Sequence, residues 1–305
     1  MLRYAADIRT LLYMVVTTGL LVVLWTRESF SPLLFFAYLL MAVSVSVIAH
    51  NHNHLTIWKS KPLNALTDYW LTLFYGFPAF GWIPTHNQNH HKFNNRTGDY
   101  TITYRYTEKT NLFTLLTYPS VSAFHQQKPI RAYIEKQYRI SKSRFWFCIS
   151  QYVLLIAFLL VAFLVDWKKA LLYVLIPQQF SLYSVLIFNY VQHVHADEES
   201  PINHSRNIVG PVMNWFLFNN GLHTVHHDNP GLHWSKAPAA HAKIADQIDP
   251  RLTEQSFWLL LVRVYILGMF SDDARSRSMR LERMARRAAN LEAALPSQAI
   301  SSARN

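Results

Sequence analysis

The stretch that decides the fold runs from Ser29 to His54 and reads SFSPLLFFAYLLMAVSVSVIAHNHNH. As far as Ala49 it contains no residue that is charged at neutral pH. A helix of this length, rising about 1.5 Å per residue, crosses a hydrocarbon core of roughly 30 Å. Its end carries His50, His52 and His54. The stretch therefore predicts a membrane helix that ends in a cluster of imidazoles.

Three further stretches share this uncharged, apolar composition. Lysines and arginines are almost absent from all four stretches and crowd instead into residues 59–144 and the segment after Arg263. We therefore expect an all-α integral membrane protein with four transmembrane helices. The predicted spans are residues 10–26, 29–49, 145–165 and 170–192.

The spacing of the spans predicts two hairpins, with a cytoplasmic helical cap that carries the histidines. The positive-inside rule places the basic segments, both termini and the cap in the cytoplasm. The net charge of +11 is accordingly expected to face anionic lipid headgroups and not nucleic acid. The single cysteine, Cys148, excludes an intramolecular disulfide. The predicted domains are one membrane domain over residues 1–270 and a basic C-terminal tail over residues 271–305.

Residues 69–85 are also uncharged, but they are interrupted by Gly76, Pro78, Gly81 and Pro84. Such residues are poor material for a straight span, so we interpret the segment as interfacial or re-entrant. A fifth crossing is the alternative. It would place the histidines before and after the segment on opposite sides of the bilayer.

Most of the fifteen histidines fall in four clusters at or beyond the cytoplasmic ends of the predicted spans. On an α-helix, residues three or four apart share a face, so the members of a cluster can reach one metal together. This spacing pairs His50 with His54, His86 with His90, Asn189 with His193, and His223 with His226 and His227. The candidate metal ligands are His50, His54, His86, His90, His91, His193, His223, His226 and His227.

Nine imidazoles exceed the three to six ligands of one metal ion, so the set predicts two metals. Neutral imidazole suits zinc, copper, nickel and iron about equally. A site at the membrane face, beside spans of acyl length, favours oxidation of a lipid over hydrolysis of a soluble substrate. His52 and His195 stay open as ligands, because each would face away from its neighbouring ligand on a regular helix. The remaining histidines, His125, His204, His233 and His241, are expected to be ordinary surface residues.

With these clusters the sequence resembles the integral-membrane fatty acid desaturase and hydroxylase superfamily, which carries three histidine boxes on four membrane helices. The first box matches His50 with His54, the second matches His86 with His90 and His91, and the third matches His223 with His226 and His227. None of the clusters contains the glutamates of soluble di-iron bundles, so that class is excluded.

The resemblance also implies the surroundings of the site. The segment from Asn189 to His193 looks like an additional ligand pair, in which Asn189 reaches a metal through water. The carboxylates of Asp99, Asp197 and Asp228 are candidates for accepting the other imidazole N–H of a ligand. The alternative for each is a solvated charge or a partner for an arginine.

The activity implied by the resemblance is oxygen-dependent desaturation of a fatty acyl chain or membrane lipid. It implies two Fe²⁺ ions and electrons from an external carrier such as a ferredoxin, a rubredoxin or a cytochrome. Hydroxylation and decarboxylation to a terminal alkene are alternatives on the same scaffold, because substrate placement decides among the outcomes. A metal-transporting membrane protein is the alternative of another class. It predicts ionisable residues inside the spans, which contain none with charge.

Overall fold

The computed structural model describes residues 1–294. Four of its helical stretches are long and apolar enough to cross a membrane: Ala5–Thr26, Pro32–His54, Lys142–Val165 and Trp167–His193. Each overlaps one predicted span over most of its length, so the predicted all-α fold with four long apolar helices is confirmed. The prediction for residues 295–305 of the basic tail lies outside the described residues.

Helices account for nearly all regular structure in the described part of the chain. The first half contains α1 (Ile8–Thr26), α2 (Pro32–His54), α3 (Lys61–Tyr75), a π-helix (Ile83–His90), α4 (His91–Phe93) and α5 (Leu112–Ile140). The second half contains α6 (Lys142–Val165), α7 (Trp167–Ala170), a π-helix (Leu171–Leu175), α8 (Ile176–His193), β1 (Asn207–Ile208), α9 (Pro211–Phe216), α10 (His223–Asp228), α11 (Ala237–His241), β2 (Thr253–Glu254), α12 (Phe257–Leu261), a π-helix (Val262–Ile266) and α13 (Met279–Ala294). The two strands are parallel, with Asn207 opposite Thr253.

Helix α2 lies at the centre of the bundle, packed against α1, α3 and α8. Its second half, Met41–His50, is buried except for Val43. Small side chains allow α8 to approach closely, and the Ser181 hydroxyl donates a hydrogen bond of 2.7 Å to the carbonyl of Ala42. The histidines at the end of α2 are therefore carried into the middle of the molecule.

The turns between α1 and α2 and between α6 and α7 lie together at the other end of the bundle. The Lys169 ammonium donates to the carbonyl of Trp25 over 2.6 Å. Apolar side chains from α1, α6 and α7 pack around Ala162 and Ala170 next to this contact. The beginning of α2 and the beginning of α8 are thus near one another, and the histidine-bearing ends of both helices are at the opposite end.

The segment from α3 to the first π-helix enters the bundle and turns back. Helix α3 runs beside α6 in the same direction, with Tyr69 bonded to Ser150 and Thr72 bonded to Gln151. At Gly76 the backbone adopts a φ of 81°, the left-handed conformation that ends α3. The amide of Phe80 still bonds to Gln151, and the chain then returns towards the histidines. Residues 69–85 therefore turn back within the bundle and do not form one long straight helix.

We expect Gly76→Ala to destabilise the fold by about 1–3 kcal/mol, the usual cost of a left-handed non-glycine residue. A Cβ at this position would also lie 2.4 Å from Cβ of the buried Gln178. The control is Gly19→Ala in α1, where the new Cβ has no neighbour within 4 Å. Thermal unfolding in detergent should show a lower midpoint for the first variant only. Equal midpoints would count against a tightly packed turn at Gly76.

Candidate metal centre

Five histidines from α2, the first π-helix, α4 and α10 form a first group: His50, His54, His86, His91 and His226. The Nε2 atom of His91 lies 3.1 Å from those of His54 and His86 and 3.0 Å from that of His226. The Nε2 atom of His50 lies 2.9 Å from those of His86 and His226. Residues from widely separated parts of the chain therefore direct the same ring nitrogen at one point.

Four histidines form a second group: His90, His193, His223 and His227. The Nε2 atom of His193 lies 3.1 Å from that of His90, 3.0 Å from that of His223 and 3.1 Å from that of His227. Three of the four rings are buried and the fourth is partly buried. The structure thus brings all nine predicted histidines together, and divides them into a group of five and a group of four.

Each ring nitrogen has too many close ring-nitrogen neighbours for all of these contacts to be hydrogen bonds between rings. An imidazole nitrogen offers either one proton or one lone pair, so the Nε2 atom of His91 cannot satisfy three neighbouring nitrogens. Two nitrogens that bind one metal ion at about 2.1 Å and at right angles lie about 3.0 Å apart. The spacing within each group is therefore that of ligands around a metal ion, and the donors fit a metal such as iron or zinc.

The charge state of the rings is consistent with metal binding. Burial, followed by the repulsion of the neighbouring imidazoles, lowers the pKa of His86, His223, His226 and His227 well below the ordinary value. The same causes lower the pKa of His91 to about 2. These five rings are therefore neutral at physiological pH, which is the form that binds a metal.

The division into two groups follows from local helix geometry. In the π-helix the turn is wider than in an α-helix, and His86 shares a group with His91, five residues on. His90, which α-helical spacing pairs with His86, points into the second group instead. On α10 the four-residue spacing places His223 and His227 together, while His226 faces the first group.

Asp99 fixes the orientation of His90. Its Oδ2 atom lies 2.8 Å from Nδ1 of His90, and its Oδ1 atom accepts bonds of 2.7 Å from the amide and the hydroxyl of Thr101. A carboxylate can only accept, so the His90 proton sits on Nδ1 and the lone pair on Nε2 points at the second group. Burial acts to raise the pKa of Asp99, but His90 and the hydrogen bonds outweigh it and lower the pKa to about 2.

Asn220 and Trp82 support the first group, and the sequence patterns do not assign either role. The Oδ1 atom of Asn220 lies 3.1 Å from Nδ1 of His50. Because that oxygen is an acceptor, the contact leaves the lone pair on Nε2 of His50. Trp82 stacks on the same ring at 5.2 Å. Asparagine and tryptophan are common in loops and at membrane interfaces, so their positions alone carry no signal for this function.

The other two candidate carboxylates lie elsewhere. Asp228 pairs with His204 over 3.2 Å, and its side chain is 43% exposed. Asp197 is bonded to Arg283 over 2.6 Å. In the described part of the chain, each therefore has a partner other than the nine histidines.

His52 and His195 belong to neither group. His52 accepts a hydrogen bond from the amide of Ile57, and its Nε2 lies 3.6 Å from Asp68. His195 bonds to Ser276 through Nδ1 and to Thr110 through Nε2.

The acidic segment that follows His193, residues 197–199, forms ion pairs with arginines of α13. Arg283 reaches Asp197, Glu198 and Glu199 over 2.6–2.8 Å. Arg280 pairs with Glu198 and Glu108 in the same way, and Arg287 pairs with Glu199. Much of the segment predicted to be a tail is thus a docked helix held next to a candidate ligand.

An apolar cavity of about 120 Å³ lies beside both groups. Asn189 borders it and donates to the Tyr118 hydroxyl over 2.7 Å. The lining residues are His50, Tyr75, Phe77, Gly81, Trp82, Thr85, His86, Thr101, Ala123, Gln126, Gln127, Ile130, Leu182, Val185, Leu186, Phe188, Asn189, Gln192, Asn220 and His223. Histidines from each group thus face the same cavity.

Fold and site together define a helical membrane protein with two histidine clusters compatible with metal binding. The chain belongs to the fatty acid desaturase family, whose model matches residues 29–259. This match confirms the resemblance to membrane desaturases and hydroxylases. The family suggests an oxidoreductase and implies a fatty acyl substrate in a membrane lipid environment. A search of curated proteins gives no match to this chain.

We expect Asp99→Asn to weaken metal binding by about 10- to 100-fold, the usual effect of losing such an orienting carboxylate. An amide can present its NH₂ group to His90 and release the ring from its fixed tautomer. Asp228→Asn is the matched control, because Asp228 contacts His204. Competition with a chelator, followed by metal quantification, distinguishes the two variants. Equal retention in both would show that Asp99 does not orient a ligand.

Arg283→Ala should lower stability by about 1.5–3 kcal/mol, the range for hydrogen bonds to charged groups, because it removes the arginine partner of Asp197 and one of the two arginine partners of Glu198. Arg286→Ala on the same helix is the control, since Arg286 is exposed. Thermal unfolding in detergent measures the difference. A midpoint unchanged by both substitutions would mean that α13 contributes nothing to holding the acidic segment.

Proposed function

We propose that this protein is a membrane-bound, oxygen-dependent desaturase of fatty acyl chains that uses two iron ions. The observation that carries the proposal is the convergence of nine Nε2 atoms into two groups with coordination spacing. Membership of the desaturase family supports the reaction class. The enzyme is predicted to take electrons from a separate carrier, either a ferredoxin, a rubredoxin or a cytochrome.

The two groups are the proposed iron sites. The first ion would be held by His50, His54, His86, His91 and His226. The second would be held by His90, His193, His223 and His227, with Asn189 as a ligand through water. When bound and supplied with electrons and dioxygen, the two irons provide the oxidising power needed to remove hydrogen from an unactivated methylene.

The protein's own residues position the substrate and keep water away. Leu182, Val185 and Leu186 form an apolar wall on one side of the cavity, and Ile130 lies on the other. Tyr75, Phe77 and Trp82 are the aromatic residues from the re-entrant segment that border the same space. A methylene in this cavity would lie next to His223 and His86, one from each group. Apolar walls of this kind also exclude the bulk water that would compete for the oxidant.

The proposed topology is two membrane hairpins with a cytoplasmic cap and both termini in the cytoplasm. The contact between Lys169 and Trp25 supports a common outer end for the two turns. The meeting of α2 and α8 at the metal centre supports a common inner end. Residues 1–270 would form one membrane domain, and α13 would dock on its cytoplasmic face. Basic residues on that face would favour approach of an acidic electron donor.

Hydroxylation and decarboxylation are alternative reactions of the same centre, and the placement of the substrate would decide among them. Transport of metal ions is less well supported. A conduction path needs polar side chains distributed across the bilayer, whereas the nine histidines are gathered at one end of the bundle. Mass spectrometry of lipids from expressing cells separates the three oxidative outcomes, and metal flux into liposomes tests transport.

We predict that the protein binds two iron ions per chain, and that His90→Ala and His226→Ala each lower this content and abolish oxidation of the acyl chain. Each substitution removes one ligand, the first from the group of four and the second from the group of five. His125→Ala is the control, because His125 contacts Tyr106 away from both groups. Iron and zinc quantification together with product analysis measures both effects. Unaltered oxidation in either variant would remove the catalytic assignment.

A further inference from the structure

Two helices form the long walls of the cavity, each with one continuous face. Ala123, Gln126, Gln127 and Ile130 line it from α5, and Leu182, Val185, Leu186 and Asn189 line it from α8. Both sets follow the spacing of one helix face, with residues three, four and seven positions apart. The cavity is therefore a slot between α5 and α8 that runs along both helices towards the metal groups.

The slot is exposed to the outside at Ala123 and Gln127 on α5. Apolar side chains surround this opening: Phe124 is 76% exposed and Tyr183 on α8 is 42% exposed. Further along α5, Phe113 and Leu116 are 74% and 55% exposed. Large exposed apolar surfaces of this kind mark contact with lipid or with a partner.

The absence of charged residues along the slot, in the part of the chain that the structure describes, and the depth of its opening indicate that the exposed apolar side chains contact lipid. No lysine, arginine, aspartate or glutamate lines the slot among the described residues. The chain carries no such residue from Thr110 to Gln127, although Lys128 and Arg131 follow directly. Tyr183 lies within the apolar stretch Trp167–His193, ten residues before its end. At about 1.5 Å per residue, this places it roughly 15 Å along the helix from His193, inside a hydrocarbon core of roughly 30 Å.

We infer that the slot opens sideways into the bilayer, and that the substrate is an acyl chain already dissolved in the membrane, not one delivered from water on a soluble carrier. This inference rests on the proposed function and specifies the substrate class for the same site. The apolar chain would enter between Phe124 and Tyr183. A polar head would remain outside, near Lys128 at the edge of the opening.

One hydrogen bond spans the entrance. The hydroxyls of Ser120 on α5 and Tyr183 on α8 lie 2.6 Å apart, and both residues are exposed. Ser120 lies one turn before Ala123, so the bond joins the two walls beside the opening. An acyl chain entering from the bilayer would pass next to this contact. The hydrogen bond between Ser120 and Tyr183 fixes the distance between the two walls at the opening.

The orientation of the opening can be measured without turnover. A nitroxide label at Ala123→Cys would report its surroundings through collisions with oxygen, which concentrates in the bilayer, and with a water-soluble nickel chelate. The protein is reconstituted at full length in phosphatidylcholine vesicles. Its single cysteine, Cys148, is buried, so the parent chain is the control for background labelling. Val153→Cys on α6 serves as the lipid-exposed reference and Ala242→Cys as the water-exposed reference.

We expect the label at position 123 to match the reference at position 153, with oxygen collisions exceeding those with nickel. A match to position 242 would overturn the inference, because the opening would then face water. The result does not depend on iron or on a reaction. An inactive protein with a lipid-facing label at position 123 would therefore refute the proposed function alone.

Ala123→Trp tests the route itself, because an indole at this position would obstruct the opening without touching a histidine. Turnover of a fatty acid dissolved in the vesicles should fall at least tenfold while the metal content is unchanged. Ala242→Trp is the control. Turnover of the Ala123→Trp variant at the wild-type rate would exclude this entrance. The entrance would also be excluded if the wild-type protein used a water-soluble acyl thioester more efficiently than the fatty acid dissolved in the vesicles.

Discussion

The arrangement of the molecule depends on one constraint: nine buried or partly buried imidazoles direct their Nε2 atoms into two small volumes. Lone pairs held about 3 Å apart in an apolar interior repel one another unless a cation lies between them. Hydrogen-bond acceptors around the histidines stabilise this orientation of the rings. Asp99 and Asn220 accept hydrogen bonds from the Nδ1–H groups of His90 and His50, so the lone pairs of both rings remain on the inner side. Histidines from four separate parts of the chain contribute to these two groups, and the segment that turns back at Gly76 brings His86 to the side of His50.

Much of this could be predicted from the sequence, because the strongest signals are local. Charge-free stretches of bilayer length identify α1, α2, α6 and α8, and the histidine spacing identifies all nine members of the two groups. The distribution of ligands between the groups could not be predicted, because it depends on a π-helical turn. An α-helix would pair His86 with His90, whereas the wider turn pairs His86 with His91. Nothing in the composition of residues 83–90 distinguishes these helices.

The contribution of α13 was missing from the sequence patterns for a different reason. Alternating arginines and small residues look the same on a solvated helix and on a docked one, and the acidic run Asp197–Glu199 looks like an exposed turn. Only the fold reveals that they face each other. His195 joins the same region, with a backbone φ of 64° and bonds to Ser276 and Thr110. The segment that follows the candidate ligand His193 is therefore held by Thr110, just before α5, and by Ser276, just before α13. His195, two residues from that candidate ligand, makes the contacts of a structural link.

Helix α8 connects the candidate metal centre to the apolar slot because it carries residues of both. Leu182, Val185, Leu186 and Asn189 form one wall, and His193 ends the same helix. A helix advances about 1.5 Å per residue, so Leu186 and His193 are separated by roughly 10 Å along a rigid axis. Ser181 anchors this axis to α2, the helix that supplies His50 and His54. The distance from the entrance to the metal groups is consequently fixed by covalent geometry and helix packing. The position at which a chain is oxidised would then be determined by how far the chain slides along α8, and side chains at 182 and 186 would set that limit by their volume.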